Sequence, residues 1–319
     1  MSSAPLLKRA TTLDELRQRK GTLASEESLR RGISFRPRPM DVLIATYPKC
    51  GTTWLQQIVH GLRMRGSMDF DEITAVVPWI ELAFDLGTDL DALQVAQPRA
   101  FKTHLPWTEV PKGSRYVYAL RDPKDVLVSV YHFHEGWRFE PGTIPFGSFA
   151  REFFMSRESG RRYWRHVSSW WEQRQRSEVL MLCYEDMKAD LPSTVRRIAR
   201  FINCELDEDL LEIVVKQSSI EFMRAHGTKF DDHLVREARN ASRGLPPGGD
   251  SSKVRSGRVG DHFFELPEEV SEQLDAIWRE EIEARFGLPS YQAMREQLAR
   301  ENETGIEVGF NISESFEER

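Results

Sequence analysis

Cysteine is scarce. Cys50, Cys183 and Cys204 are the full set in 319 residues. An odd, sparse set without a C-x-x-C pair offers neither a disulfide framework nor a zinc-knuckle spacing, and it suits a reducing compartment. No H-E-x-x-H stands anywhere in the chain, so no metal is expected in the chemistry. Long apolar runs are also missing. Leu6-Leu7 is followed at once by Lys8-Arg9, and no stretch approaches the roughly 18 apolar residues of a membrane span. Neither a secretory leader nor a membrane partner is therefore expected, and a cytoplasmic location is. A strong excess of one charge is absent too: the net charge is −6. That mild acidity points to no nucleic-acid partner and requires any anion site to be local. There is no internal repeat and no G-x-G-x-x-G, which removes the usual dinucleotide fingerprint.

What is present is an ordinary globular composition, 40% hydrophobic and 29% charged, with strand-like and helix-like runs in alternation. That alternation predicts an α/β fold: a central, mostly parallel sheet flanked by helices. The chain reads as a single domain over 1–319. Its core lies at about 35–290, and 1–34 and 301–319 are peripheral or flexible. Leu13 to Arg19 fits one short helix. From Glu301 the tail is acidic and expected to fray.

The most informative stretch is Asp41-Val-Leu-Ile-Ala-Thr-Tyr-Pro-Lys-Cys-Gly-Thr-Thr-Trp-Leu55. Val42 to Thr46 has the apolar continuity of a fully buried strand. Tyr47-Pro48 ends it. Trp54, Leu55, Ile58, Val59 and Leu62 then recur at helical spacing, so a helix starts near Gly51 or Thr52. Strand, tight polar turn and helix make an anion site, because free backbone N–H groups and the positive helix end face one spot. Lys49, Thr52 and Thr53 add a cation and two hydroxyls. The pattern is not G-x-x-x-x-G-K-[ST], since Gly51 follows Lys49 instead of preceding it; a nucleoside triphosphatase of that kind is disfavoured. A cysteine phosphatase built on Cys50 needs C-x5-R, and the position is Gln56.

Three further strands carry polar residues at their ends, where ligands bind in open α/β sheets. Arg99 to Thr103 leads into Lys102-Thr103-His104. Arg115 to Leu120 leads into Arg121-Asp122-Pro123, with Asp122 a fitting N-cap and Pro123 suited to the first helical turn. Val126, Leu127, Val130 and Phe133 form the inward stripe of that helix, with Ser129 and His132 nearby. Val179 to Cys183 leads into Tyr184-Glu185-Asp186-Met187. Trp164, Val167, Ser168, Trp171 and Glu172 fit one packing helix. Residues 226–260 are rich in Gly, Pro and Ser and read as a long mobile lid with few apolar anchors, ending in Arg255-Ser256-Gly257. Leu266 to Arg285 reads as one amphipathic helix with Val270, Leu274, Ile277, Trp278 and Ile282 on one face.

The block Thr46-Tyr-Pro-Lys-Cys-Gly-Thr-Thr-Trp54 resembles the 5′-phosphosulfate loop T-Y-P-K-[SA]-G-T-T-W of cytosolic-type sulfotransferases, with Cys50 where Ser is usual. Lys102-Thr-His-Leu-Pro106 resembles the same family's K-T-H-L-P. Tyr118 to Tyr131 resembles its 3′-phosphate segment R-[ND]-x-K-D-x-x-V-S, and Arg255-Ser-Gly-x-x-Gly-Asp its R-K-G-x-x-G-D-W. Ser256 replaces Lys, and His262 replaces Trp. The resemblance covers roughly 35–290, with the motif blocks in family order.

It implies a P-loop-like phosphosulfate site and sulfuryl transfer from 3′-phosphoadenosine 5′-phosphosulfate (PAPS), a donor co-substrate that leaves as adenosine 3′,5′-bisphosphate (PAP). The acceptor would be a hydroxyl or amine of a small, hydrophobic molecule. By the same resemblance His104 is the general base. Lys49 meets the bridging oxygen and Lys102 the sulfuryl oxygens. Ser129 restrains Lys49 and shares the 3′-phosphate with Arg121, Arg255, Ser256 and Gly257. Lys49, Cys50, Gly51, Thr52, Thr53 and Trp54 wrap the 5′ end. Tyr184, Ser218 and Ile220 lie against the nucleoside, Ile220 standing where Phe commonly stacks on adenine. Trp79, Phe84, His104 and Phe133 line the acceptor pocket, with His132 and Trp137 close by. The family's dimer motif, K-x-x-x-T-V-x-x-x-E, is replaced by Phe263-Phe-Glu-Leu-Pro267. A small-molecule kinase and a non-catalytic nucleotide-binding protein remain as rivals; intact Lys49, Lys102 and His104 weigh against the second.

Overall fold

The computed structural model describes residues 7–18, 23–157, 161–249, 253–255 and 257–312. Two compact units are present, Met1–Pro267 and Glu268–Arg319. The first is built on four strands: β1 Val42–Thr46, β2 Ala100–Thr103, β3 Arg115–Leu120 and β4 Val179–Cys183. They pair in the order β2-β1-β3-β4, all parallel. β1 is buried at every position, as its unbroken apolar sequence requires when helices cover both faces. The register brings the strand ends level. Ala45 pairs with Thr103, Thr46 with Ala119 and Leu120 with Cys183. Tyr47, His104, Arg121 and Tyr184 therefore all leave the sheet at its carboxyl edge. The chain goes from β1 to β2 on one side and returns to β3 on the other, so β1 borders the crevice where such sheets bind ligands.

The helix Thr52–Arg63 follows β1 directly. Its Leu55, Ile58, Val59 and Leu62 have no exposed surface and pack on Val42, Ile44, Val117 and Ala119. Each such side chain contributes about 1.5–3 kcal/mol by leaving water. That packing fixes the direction in which the helix N-terminus points. The helix Pro123–Glu135 is started as its sequence predicts: the Asp122 carboxylate accepts from the Lys124 N–H at 2.8 Å, and Pro123 fills the first turn. The helix Arg162–Trp171 buries Trp164, Val167, Ser168 and Trp171. No helix among the described residues is long and apolar enough to cross a membrane.

Just before β1 and β2, Asp41 and Arg99 form a buried two-pronged pair, with N–O distances of 2.9 and 2.5 Å. Arg99 also donates to the Leu90 and Ala92 carbonyls. Breaking such a pair leaves a buried charge unmatched. Asp41→Ala is expected to destabilise the fold by about 3–5 kcal/mol, read by urea unfolding; a change below about 1 kcal/mol would show that the pair is energetically idle.

Residues 226–249 of the expected lid carry regular structure and more apolar anchors than their composition predicts. They contain a 3₁₀ turn Gly227–Phe230, a helix His233–Arg239 and a second turn Ala241–Arg243. Phe230, Val235 and Leu245 are 1%, 0% and 2% exposed. Buried Asn240 stitches the Gly/Pro run: its side chain accepts from Trp137 Nε1 and donates to the Pro246 and Gly248 carbonyls. Single anchors spaced far apart leave no periodic signal, which is why composition alone suggested an unanchored lid.

In the second unit the expected single helix runs in three pieces: Glu268–Trp278, a π turn Arg279–Glu283 and Ala284–Phe286. The five predicted apolar positions are buried. The tail is helical from Tyr291 to Ile312.

Candidate active site

The loop after β1 is bent by two residues in left-handed conformation, Lys49 at φ 72° and Gly51 at φ 93°. A non-glycine there is strained, and such strain gathers where a backbone must curl around a ligand. Gly51 is needed twice over, because a Cβ would also sit 3.0 Å from the Tyr184 ring. The turn is closed by the Cys50 N–H on the Tyr47 carbonyl at 3.2 Å, and the Thr46 and Thr52 hydroxyls meet at 2.5 Å. Backbone N–H groups at the start of a buried helix then converge on one point, a ready anion cradle.

Around that cradle lies a cavity of about 800 Å³. Lys49, Gly51, Thr52, Thr53, Trp54, Trp79, Lys102, His104, Arg121, Ser129, Phe133, Tyr184, Ser218, Ile220, Arg255 and Gly257 line it, as does Trp137. Cys50 and Phe84 do not. The Cys50 thiol is buried beneath the loop, and burial raises its pKa. Phe84 is 45% exposed, with the Arg31 guanidinium 4.0 Å over its ring. His132 is off the wall too, bound to Glu135 and Glu265. Ser256 lies outside the described residues.

His104 is held on two sides. Its Nδ1 stands 2.8 Å from the Thr46 carbonyl, and its backbone N–H donates to Glu81 Oε1 at 2.7 Å. A carbonyl only accepts, so Nδ1 carries the proton and Nε2 keeps its lone pair. The Trp79 ring meets the imidazole edge-on at 5.0 Å. Burial, and then the nearby Lys102 charge, hold its pKa well below 6.5, so the ring is neutral and able to take a proton.

Two lysines face the same region. Lys49 Nζ sits 4.2 Å over the Phe133 ring, and Lys102 Nζ 3.7 Å over Trp79. Ser129 shares the Lys49 wall, but the ammonium rests on the ring instead of hydrogen-bonding the Ser129 hydroxyl. Burial pulls both lysines down to about 7, with the Lys253 charge adding to the effect and Asp232 opposing it. Lys253 and Asp232 form a buried ion pair in the cavity wall.

On the other side, Arg121 donates to the Lys49 carbonyl at 3.0 Å and the Arg258 carbonyl at 3.2 Å. Its Nε is buried with no partner among the described residues. The guanidinium lies 4.2 Å over Tyr184, and Tyr184 meets Trp54 at 5.4 Å. Trp54 Nε1 donates to the Ser218 carbonyl at 2.8 Å. Gly257, at φ 61°, passes so near Ile220 that a Cβ would come within 2.9 Å of its Cδ1. Arg255 is paired with Asp261 at 2.5 Å and Glu265 at 3.4 Å.

Several wall residues carry no signal in the sequence alone. Asp232, Lys253, Glu81, His134, Arg138 and His166 come from five separate segments and meet only through the fold. Glu81 sits two residues from Trp79, inside a stretch that reads as apolar packing.

A parallel sheet with an anion cradle at its carboxyl edge, a neutral imidazole and two lysines facing one cavity defines an α/β group-transfer enzyme of the phosphate-loop kind. The sulfotransferase domain model matches residues 39–287. Sulfotransferase 1B1 of dog (Canis lupus familiaris) is 32% identical over 262 residues, covering 78% of this chain and 85% of the relative. The mouse (Mus musculus) protein of the same name is 31% identical over 78% of this chain and 84% of its own. Among solved structures, retinol dehydratase in complex with androsterone and the inactive cofactor PAP superposes with a TM-score of 0.64 at 23% identity, covering 81% of this chain and 86% of the other. Mouse sulfotransferase SULT7A1 complexed with PAP gives 0.62 at 23%, over 82% and 91%. The chain belongs to the sulfotransferase family.

Proposed function

We propose that this chain transfers the sulfuryl group of PAPS to a hydroxyl or amine of a small, largely apolar acceptor, as a cytoplasmic enzyme. One observation carries the reading: Lys49, Lys102 and the lone pair of His104 face one cavity beside a 5′-phosphosulfate-type cradle. The sparse, unbridged cysteines fit the cytoplasm. The residues also fit the donor. The Thr52 helix end suits the 5′ anion. The orphaned Nε of buried Arg121 beside Tyr184 and Trp54 suits a second anion near a flat base.

In the reaction the acceptor oxygen or nitrogen bonds to sulfur while the bond from sulfur to the 5′-phosphate oxygen breaks. His104 Nε2 takes the acceptor's proton. Lys49 neutralises charge growing on the departing phosphate, and Lys102 faces the sulfuryl oxygens; both matter most at the transition state. Ser129, Ser218 and Gly257 with Arg255 complete the nucleotide side. Arg255 must share its charge with Asp261 and Glu265, so Arg121 carries most of the 3′-phosphate recognition. Trp79 and Phe133 shape the acceptor wall.

Calorimetry with PAP and with adenosine 5′-phosphate tests the donor assignment. Arg121→Ala is expected to weaken PAP by about 10- to 100-fold, the value of a charge-assisted contact, and to narrow the gap between the two ligands. Equal weakening of both would remove Arg121 as the 3′-phosphate reader.

A further inference from the structure

The wall opposite the nucleotide side is apolar. Trp137 packs there with Ala24, Leu82, Val235 and Leu245, and Leu23, Leu29, Trp79 and Phe133 lie against them. Into this wall the fold sets a cation. Arg138 lines the cavity with its guanidinium 5.3 Å from the Trp137 ring centre. Its Nε is buried, and its side chain has neither a hydrogen bond nor a carboxylate partner among the described residues. Beside it is His134, in the last turn of the helix Pro123–Glu135, whose carbonyl accepts from the Arg138 N–H of the following turn at 2.7 Å. His134 is 8% exposed, lines the cavity, and has an Nδ1 that also lacks a partner among the described residues. Burial and the Arg138 charge keep this imidazole neutral, its pKa well below 6.5. Burial, aided by nearby Arg243, pulls Arg138 down to about 9. A half-buried guanidinium without a counter-charge is costly, and the cost falls when a ligand brings the missing anion. The location bears on which ligand. Lys49 Nζ lies 4.2 Å over Phe133, Phe133 meets Trp137 edge-on at 5.3 Å, and Trp137 carries Arg138. Arg138 is thus two aromatic rings away from the transfer centre, along an apolar, aromatic wall.

We propose that Arg138, with His134, forms an acceptor subsite for an anionic group, so that the preferred acceptor is a flat, apolar hydroxylated molecule carrying a carboxylate at the end remote from its hydroxyl. This rests on the sulfuryl-transfer reading and adds to it the charge of the substrate.

Naphthol and hydroxynaphthoate, which differ only by the carboxylate, are the probes. With the full chain and PAPS, kcat/KM is expected to favour hydroxynaphthoate by tenfold or more. Arg138→Gln keeps the packing on Trp137 and should shrink that preference by about 10- to 100-fold, with Arg138→Lys in between. Calorimetry of both probes on the PAP-bound protein should show the same order without turnover. Arg138→Gln should also raise the melting temperature of the ligand-free protein, because an unmatched, partly buried charge is removed. The proposal is overturned by equal use and binding of both probes, or by a lowered melting temperature with the carboxylate preference intact, which would make Arg138 a structural residue. It is overturned equally if Arg138→Gln weakens PAP as much as hydroxynaphthoate, placing Arg138 in the donor site. Transfer to naphthol with no carboxylate preference would sink this inference alone. Carboxylate-selective binding with no transfer to any acceptor would sink the catalytic reading alone.

Discussion

Replacing His104 by Ala is expected to lower sulfuryl transfer by about 10²–10⁴-fold, the usual worth of a positioned general base, while affinity for PAP stays near that of the unaltered protein. Selectivity of the loss follows from position. His104 Nδ1 is tied to the Thr46 carbonyl, so only Nε2 is free to accept the acceptor's proton. The anion cradle and Arg121 are built from other segments. The pH profile adds a second check. Burial and the Lys102 charge hold the imidazole neutral to well below pH 6.5, so the acid limb of kcat/KM should fall well below that value. Steady-state kinetics with PAPS and a phenol, alongside PAP calorimetry, decides it. A variant with near-normal turnover takes His104 out of the mechanism.

Lys49→Met is expected to lower kcat by about 10²–10³-fold, the scale on which a pre-set charge at a developing anion is felt. The ligand-free site makes the effect visible in binding as well. Lys49 and Lys102 are lowered to about 7 by burial, with Lys253 pushing both the same way and Asp232 pushing back; Arg121 adds to the lowering of Lys49, and Glu72 opposes that of Lys102. By pH 8 the neutral forms of both lysines are favoured, and an anionic nucleotide favours their charged forms. PAP binding at pH 8 should therefore take up protons, and its affinity should fall as pH rises. Calorimetry in buffers of different ionisation enthalpy measures the uptake. It should be reduced, not abolished, in Lys49→Met, since Lys102 is shifted too. No uptake at pH 8 would mean that both lysines are already charged in the free protein.

The sheet and its order of ligands were legible because parallel strands must be apolar throughout. Val42 to Thr46 and Val179 to Cys183 announce themselves, and Asp122-Pro123 marks the helix start between them. The loop of the cradle was legible for a related reason: a cradle made of backbone needs fixed residues at fixed spacing, as from Lys49 to Thr53. The acceptor side was not. Phe84 looks like a pocket residue by type, yet it lies under Arg31 at the surface. Trp79 and Trp137 do line the cavity. Nothing near Arg138 in the chain tells whether a carboxylate will meet it, since charge compensation is decided by segments far apart in sequence. The anchors within 226–260 were hidden likewise, because Phe230, Val235 and Asn240 hold the segment one at a time.

Incubating the purified protein with PAPS radiolabelled in its sulfuryl group, together with phenols, hydroxy acids, alcohols and amines, measures the transfer itself. Label is expected in at least one acceptor class, one PAP released per product, with the signal lost in His104→Ala. Tight PAP binding with all label left in the donor would contradict this and leave a nucleotide-binding protein without catalysis, and transfer of the ATP γ-phosphate in its place would make the chain a kinase.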